Sequence, residues 1–168
     1  MREVVCFHNP DEINGYLSNW FFTDFEVDGI QYSSMEQYMM YQKAICFEDH
    51  EIAKQILETN DPGKIKALGR MVRNFDGRIW NGLRQIIVYE GLLEKFRQND
   101  ELKRKLLATK QNILAECAVQ DKIWGIGLSM KDEKRFYMSE WLGQNLLGFC
   151  LMKVRERLEF ESQQRNRK

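Results

Sequence analysis

Two prolines and two histidines stand in the 168 residues, and the formal charges cancel, 25 basic against 25 acidic. Each scarcity excludes something. With so little proline, long extended linkers are not expected, and the length suits one domain with a single sizeable core. His8 and His50 lie far apart, and the four cysteines (Cys6, Cys46, Cys117, Cys150) include no Cys-x-x-Cys pair. No metal-ligand spacing exists, so neither a metal nor another cofactor is expected, and buried free thiols in a reducing compartment are the simplest account. Zero net charge argues against whole-protein attraction to nucleic acid or to an anionic membrane. The start, Met1-Arg2-Glu3-Val4-Val5-Cys6, is too short and charged for a signal peptide, and no apolar run approaches membrane-spanning length. A cytoplasmic protein without a membrane partner is the expectation.

What is present is ordinary in bulk, at 43% hydrophobic and 30% charged, and uneven in detail. Lys64, Lys66, Arg70, Arg73, Arg78 and Arg84 face a single acid, Asp76, in that stretch; the run reads as a solvated helix face or as a local anion-binding patch. Val4 to Phe7 is a short β-rich run. Phe25-Glu26-Val27 and Ile30-Gln31-Tyr32 flank Asp28-Gly29, a two-residue hairpin signal. Ser33 or Ser34 caps a helix to about Phe47, with Gln37 completing a capping box if Ser34 is the cap. Helices follow from Asp49 to Glu58, from Asp61-Pro62 to Gly69-Arg70, from near Asp76 to Arg97, and over Glu101 to Leu107. On the longest, Leu83, Ile86, Ile87, Leu93 and Phe96 form a core-facing stripe. Ile113 to Cys117 favours a strand, and Trp124 to Ser129 a loop. A last helix has Leu147, Cys150, Leu151, Val154 and Leu158 on one face. The polar, basic residues 163–168 read as disordered. The fold class is α+β, a mostly helical single domain with a small antiparallel sheet, spanning 1–160 with a polar basic tail over 161–168.

Several polar residues exceed what a core needs. Glu36 and Lys43, seven residues apart, come within about 20° of the same helix face. Beside apolar Met39, Met40 and Phe47, such a pair either tunes a nucleophilic amine or is an ordinary solvated face. Asp121 and Trp124 lie in a glycine-flanked loop after Glu116. Gly125 and Gly127 there permit close approach of a ligand, and Trp124 either stacks on a base or plugs the core. Arg70 either binds phosphate or satisfies helix carbonyls. Asn145 is a helix N-cap at a terminus that also attracts anions. Asn19 is a ligand contact or a turn residue, and Trp80 a pocket wall or core.

Taken in order, Ser18-Asn19-Trp20, Ser34-Met35-Glu36-Gln37-Tyr38 with Gln42-Lys43, Gly69-Arg70, Trp80, Leu106-Leu107-Ala108-Thr109, Glu116 with Asp121 to Gly127, and Asn145-Leu146-Leu147-Gly148 resemble the NADAR (YbiA-like) family of N-glycosidases. The resemblance runs from roughly Phe7 to Leu158. It departs at Gln37, where many members carry histidine, and at Ile126, where many carry aspartate. It implies a YbiA-like fold and hydrolysis of a ribose–nitrogen bond, in ADP-ribosylated guanine (nucleotide or nucleic acid) or in phosphoribosylamino-pyrimidine intermediates of riboflavin synthesis. By that likeness Lys43 is the nucleophile, Glu36 holds or deprotonates it, and Asp121 or Glu116 transfers protons. Trp124 and Trp80 shape a base pocket, while Arg70 and the Asn145 helix start hold phosphate. Two alternatives stay open: a carboxylate that activates water directly, and a non-catalytic module that binds ADP-ribose or a nucleotide. The implied partner is a small-molecule nucleotide or an ADP-ribosylated nucleic acid.

Overall fold

The computed structural model describes residues 2–165. Its order is β1 (Val4–Phe7), β2 (Phe25–Val27), β3 (Ile30–Tyr32), α1 (Met35–Cys46), α2 (His50–Leu57), α3 (Pro62–Arg70), α4 (Gly77–Gln98), α5 (Asp100–Ala108), β4 (Ile113–Glu116) and α6 (Leu146–Arg165). The fold is α+β, as the periodicities indicate. The chain divides into two compact units, 22–98 and the combination of 1–21 with 99–168.

In the unit 22–98, β2 and β3 pair antiparallel, Phe25 opposite Tyr32 and Val27 opposite Ile30. Asp28 (φ 52°) and Gly29 (φ 79°) both take the left-handed conformation that a tight two-residue hairpin demands. Helix α1 packs against α2, α3 and α4. Ser34 caps α1 by accepting from the Gln37 amide at 3.2 Å. The Gln37 carboxamide reaches one residue beyond a capping box, accepting from Ser33 N at 2.7 Å and Ser33 Oγ at 3.1 Å. Its Nε2 donates to the carbonyls of Ile56 (3.1 Å) and Thr59 (2.9 Å), pinning the end of α2 to the start of α1. Phe25, Tyr32 and Tyr38 stack with centroids 5.2–6.0 Å apart. Gly91 makes room for that cluster, because a Cβ there would run into the Tyr38 ring.

Helix α4 departs from the expected stripe. Leu93 and Phe96 are buried, but Leu83 and Ile86 are exposed, together with Ile79. Apolar spacing identifies a face without saying whether anything covers it.

In the other unit, β1 and β4 pair in parallel, Val4 opposite Ile113 and Phe7 opposite Glu116. This second two-stranded sheet is not antiparallel, and parallel neighbours need a long crossover; here about a hundred residues intervene. Helix α6 lies on β4, with Leu147, Cys150, Leu151, Val154 and Leu158 buried as its apolar face requires. Arg155 donates to Thr109 Oγ1 at 2.6 Å, which fixes α6 to the end of α5. The helix continues through Gln163 and Gln164 to Arg165, so these residues are not the disordered tail the composition suggests; 166–168 lie outside the described residues. The cysteines are free thiols, Cys6, Cys117 and Cys150 buried and Cys46 half-buried. Among the described residues no helix is long and apolar enough to cross a membrane, and no cluster of side chains could hold a metal ion.

Candidate active site

Lys43 is where polar chemistry meets the apolar interior of the unit 22–98. Helix α1 carries it two turns beyond Glu36, on the face that the spacing indicated. Glu36 is 5% exposed, and its charge acts on Lys43. The Lys43 ammonium donates to the carbonyl of Gly69 at 2.7 Å and lies 4.4 Å above the ring centre of Phe75. Gly69 is a glycine because a side chain there would collide with the Met40 thioether, so α3 approaches α1 closely enough for its carbonyl to reach the amine. Burial lowers the Lys43 pKa from the ordinary lysine value, the charge of Arg70 lowers it further, and Glu36 opposes both. The result is a half-buried amine that gives up its proton more readily than a surface lysine.

Arg70 closes α3 and is exposed. Among the described residues its side chain makes no hydrogen bond to a helix carbonyl and no ion pair, which leaves its five donors directed to solvent or to a ligand. Phe75 is a member of this group that sequence reasoning missed. It follows Asn74, whose φ of 55° bends the chain where no glycine stands, and its ring meets Phe47 edge to face at 5.3 Å. Asp49 anchors the same loop: its carboxylate caps α2 and accepts from the backbone and guanidinium of Arg73, the shortest at 2.7 Å. Trp80 is buried on the first turns of α4.

The remaining candidates belong to the other unit. The Asp121 carboxylate accepts from the amides of Ile123 (3.0 Å) and Trp124 (2.8 Å), so it folds the loop that bears Trp124. That loop runs beside 142–147 through backbone bonds from Leu142, Gln144, Asn145, Leu146 and Leu147 to the carbonyls of Ile126, Lys122, Gly125, Ile123 and Trp124. The space at Gly125 is taken by the carbonyls of Asp121 and Glu116, and Gly127 holds a φ of 73° against Leu142; both glycines answer to the protein's own packing. Ile126 is wholly buried with Cys6, Ala115, Cys117 and Leu128. An aspartate there would meet that apolar cluster.

Asn145 is buried and left-handed, with φ 53°. Its carboxamide donates to Leu114 O at 2.8 Å and accepts from Glu116 N at 3.0 Å, so it braces the strand that carries Glu116. Gly148 lets α6 settle on β4, since a Cβ there would strike Leu114 O. Asn19 is 5% exposed, and its side-chain carbonyl has no hydrogen-bond partner among the described residues. A buried acceptor without a donor is uncommon and accommodates a ligand N–H or O–H.

The half-buried Lys43 thus lies under the opposed charges of Glu36 and Arg70, and Arg70 itself has no ion pair among the described residues. Residues 6–159 match the NADAR domain. N-glycosidase R617 of Acanthamoeba polyphaga mimivirus is 43% identical over 162 residues, covering 92% of this chain and 95% of that protein. A riboflavin biosynthesis protein of Vibrio vulnificus (strain YJ016) is 31% identical, with 95% of this chain matching 40% of it. The solution structure of the Escherichia coli protein YbiA superposes with a TM-score of 0.79 at 28% identity, covering 96% of this chain and 89% of that one. The protein is thus an enzyme of the N-glycosidase class. It belongs to the NADAR family.

Proposed function

We propose that the enzyme hydrolyses the bond between ribose and nitrogen in a phosphate-bearing N-ribosyl compound, with Lys43 as the nucleophile. The observation that carries this is the Lys43 amine itself. It is half-buried and hydrogen-bonded to Gly69 O, with the charge of Arg70 lowering its pKa and that of the buried Glu36 raising it.

The neutral amine attacks the anomeric carbon. A C–N bond to Lys43 forms as the ribose–nitrogen bond breaks, and the departing nitrogen takes a proton. Positive charge develops at the anomeric carbon, where a carboxylate stabilises it. Opening of the ribose ring then places a proton on the ring oxygen and leaves a protonated imine on Lys43. Water adds to the imine carbon, releasing the sugar aldehyde and restoring the amine. Glu36 holds the proton that Lys43 gives up and returns it. Arg70 supplies a guanidinium for the substrate phosphate, suited to bidentate contact.

In the other unit, taken by itself, the proposed roles are proton transfer for Asp121 or Glu116, contact with a base for Trp124, and a hydrogen bond to a ligand for Asn19. Trp80 is a wall. Gly125, Gly127 and Asn145 serve through the loop and strand they shape. The substrate is ADP-ribosylated guanine, free or in nucleic acid, or a phosphoribosylamino-pyrimidine of riboflavin synthesis. Both contain the ribose–nitrogen bond and the phosphate, and the Vibrio relative's name supports the second. The test incubates wild type and Lys43→Ala with each compound and follows products by mass spectrometry. Release of free ADP-ribose or of ribose 5-phosphate by wild type alone supports the proposal and chooses the substrate. Tight ADP-ribose binding by both proteins without turnover of either compound refutes it in favour of a binding module.

A further inference from the structure

Phe75 is about half exposed, at 47%, and the loop that carries it is held in place. Its location is built rather than incidental. Asn74 takes the left-handed conformation that asparagine adopts more readily than other non-glycine residues, and so turns the chain just before the ring. Asp49 clamps the preceding Arg73 by backbone and side chain, and Asp76 secures the following helix by accepting from Arg78 N at 2.8 Å. The loop is fixed on both sides of the ring. What the ring faces is the Lys43 ammonium, 4.4 Å from its centre, while Phe47 supports it from the side at 5.3 Å.

We propose that Phe75 is a positioning residue for Lys43, presenting its π face to every cationic form that this nitrogen takes: the resting ammonium and the protonated imine formed during turnover. The second half rests on the reading of Lys43 as nucleophile. An aromatic face attracts a cation through its quadrupole, more strongly where water is excluded. Three other groups bear on the same nitrogen. Gly69 O accepts its hydrogen bond, Arg70 repels its charge, and Glu36 attracts it. The ring differs from these in offering no lone pair and no proton. It holds the nitrogen without competing for the bond that the amine must make, and it continues to stabilise the charge when the ammonium is replaced by an iminium that has fewer N–H groups for Gly69 O.

The experiment replaces Phe75 with ring-fluorinated phenylalanines, which keep the shape and progressively cancel the quadrupole, and with Trp and Leu. In substrate-free protein, the pH dependence of Lys43 reductive methylation is read by mass spectrometry. The labelling midpoint is expected to fall stepwise with fluorination, because the ammonium loses stabilisation, and to return with Phe75→Trp. At pH values above every midpoint, turnover is expected to fall ~2- to 30-fold in the pentafluoro and Leu variants and to recover in the Trp variant. Midpoints and turnover that do not change along the fluorinated series overturn the inference. If midpoints move as expected while borohydride traps no sugar on Lys43 in active wild type, the pairing of ring and ammonium is supported. In that event it is the nucleophile reading, and with it the iminium half, that falls.

Discussion

Replacing Gln37 by Ala tests how the fold holds α1 in place. The Gln37 side chain is buried in four hydrogen bonds: from Ser33 N and Ser33 Oγ, and to the carbonyls of Ile56 and Thr59. A hydrogen bond is worth about 1 kcal/mol net, and a buried partner left unsatisfied costs roughly 1–3 kcal/mol. Ser33 is only partly buried and regains water, whereas Ile56 O is buried. The loss is therefore about 3–5 kcal/mol, which in a chain of this size lowers the melting temperature by roughly 6–20 °C. Gln37→Glu keeps the shape but turns a carboxylate toward two carbonyl oxygens. It is destabilised at neutral pH and recovers in acid, where the protonated carboxyl donates one bond. Urea and thermal unfolding with activity assayed well below the melting temperature separate structure from catalysis. A loss under about 1 kcal/mol, or a stable Gln37→Ala protein without turnover, refutes the structural reading and makes residue 37 part of the chemistry.

Two pH dependences follow from buried charges. Arg73 holds the Asp49 carboxyl well below the usual carboxylate range. The stabilisation it provides is complete above the unfolded value near 4 and fades as pH falls through the folded value; Asp49→Asn is less stable at pH 7 and has a flatter acid limb in pH-dependent denaturation. Lys95 is fully buried, and burial pulls its pKa down to about 7. The unfolded chain binds the extra proton between about pH 7 and 10, so stability rises with pH across that window, and Lys95→Met flattens the rise in the same measurement.

Local chemistry made much of this fold legible, because local chemistry builds it. Asp28-Gly29 dictates its turn, Ser34 its cap, and Asp61-Pro62 the start of α3. The face shared by Glu36 and Lys43 follows from helix geometry alone. What stayed hidden depends on partners distant in sequence. Phe75 lies 32 positions from Lys43, and nothing in its neighbourhood marks it as the ring beneath that amine. The parallel pairing of β1 with β4 depends on a crossover of about a hundred residues. Leu83 and Ile86 share the periodicity of Leu93 and Phe96, yet remain exposed. Lys95 has no signal beyond its place among apolar residues. Asn145 reads from its place as a helix cap, and in the structure its carboxamide braces β4, while Gly148 lets α6 settle on that strand.

The most direct test of Lys43 as nucleophile is borohydride reduction during turnover, followed by digestion and mass spectrometry of the peptide that contains it. A reduced, sugar-bearing adduct on Lys43, absent without substrate, is the expected result. Sustained turnover with Lys43 unmodified, or an adduct on another lysine, would contradict it.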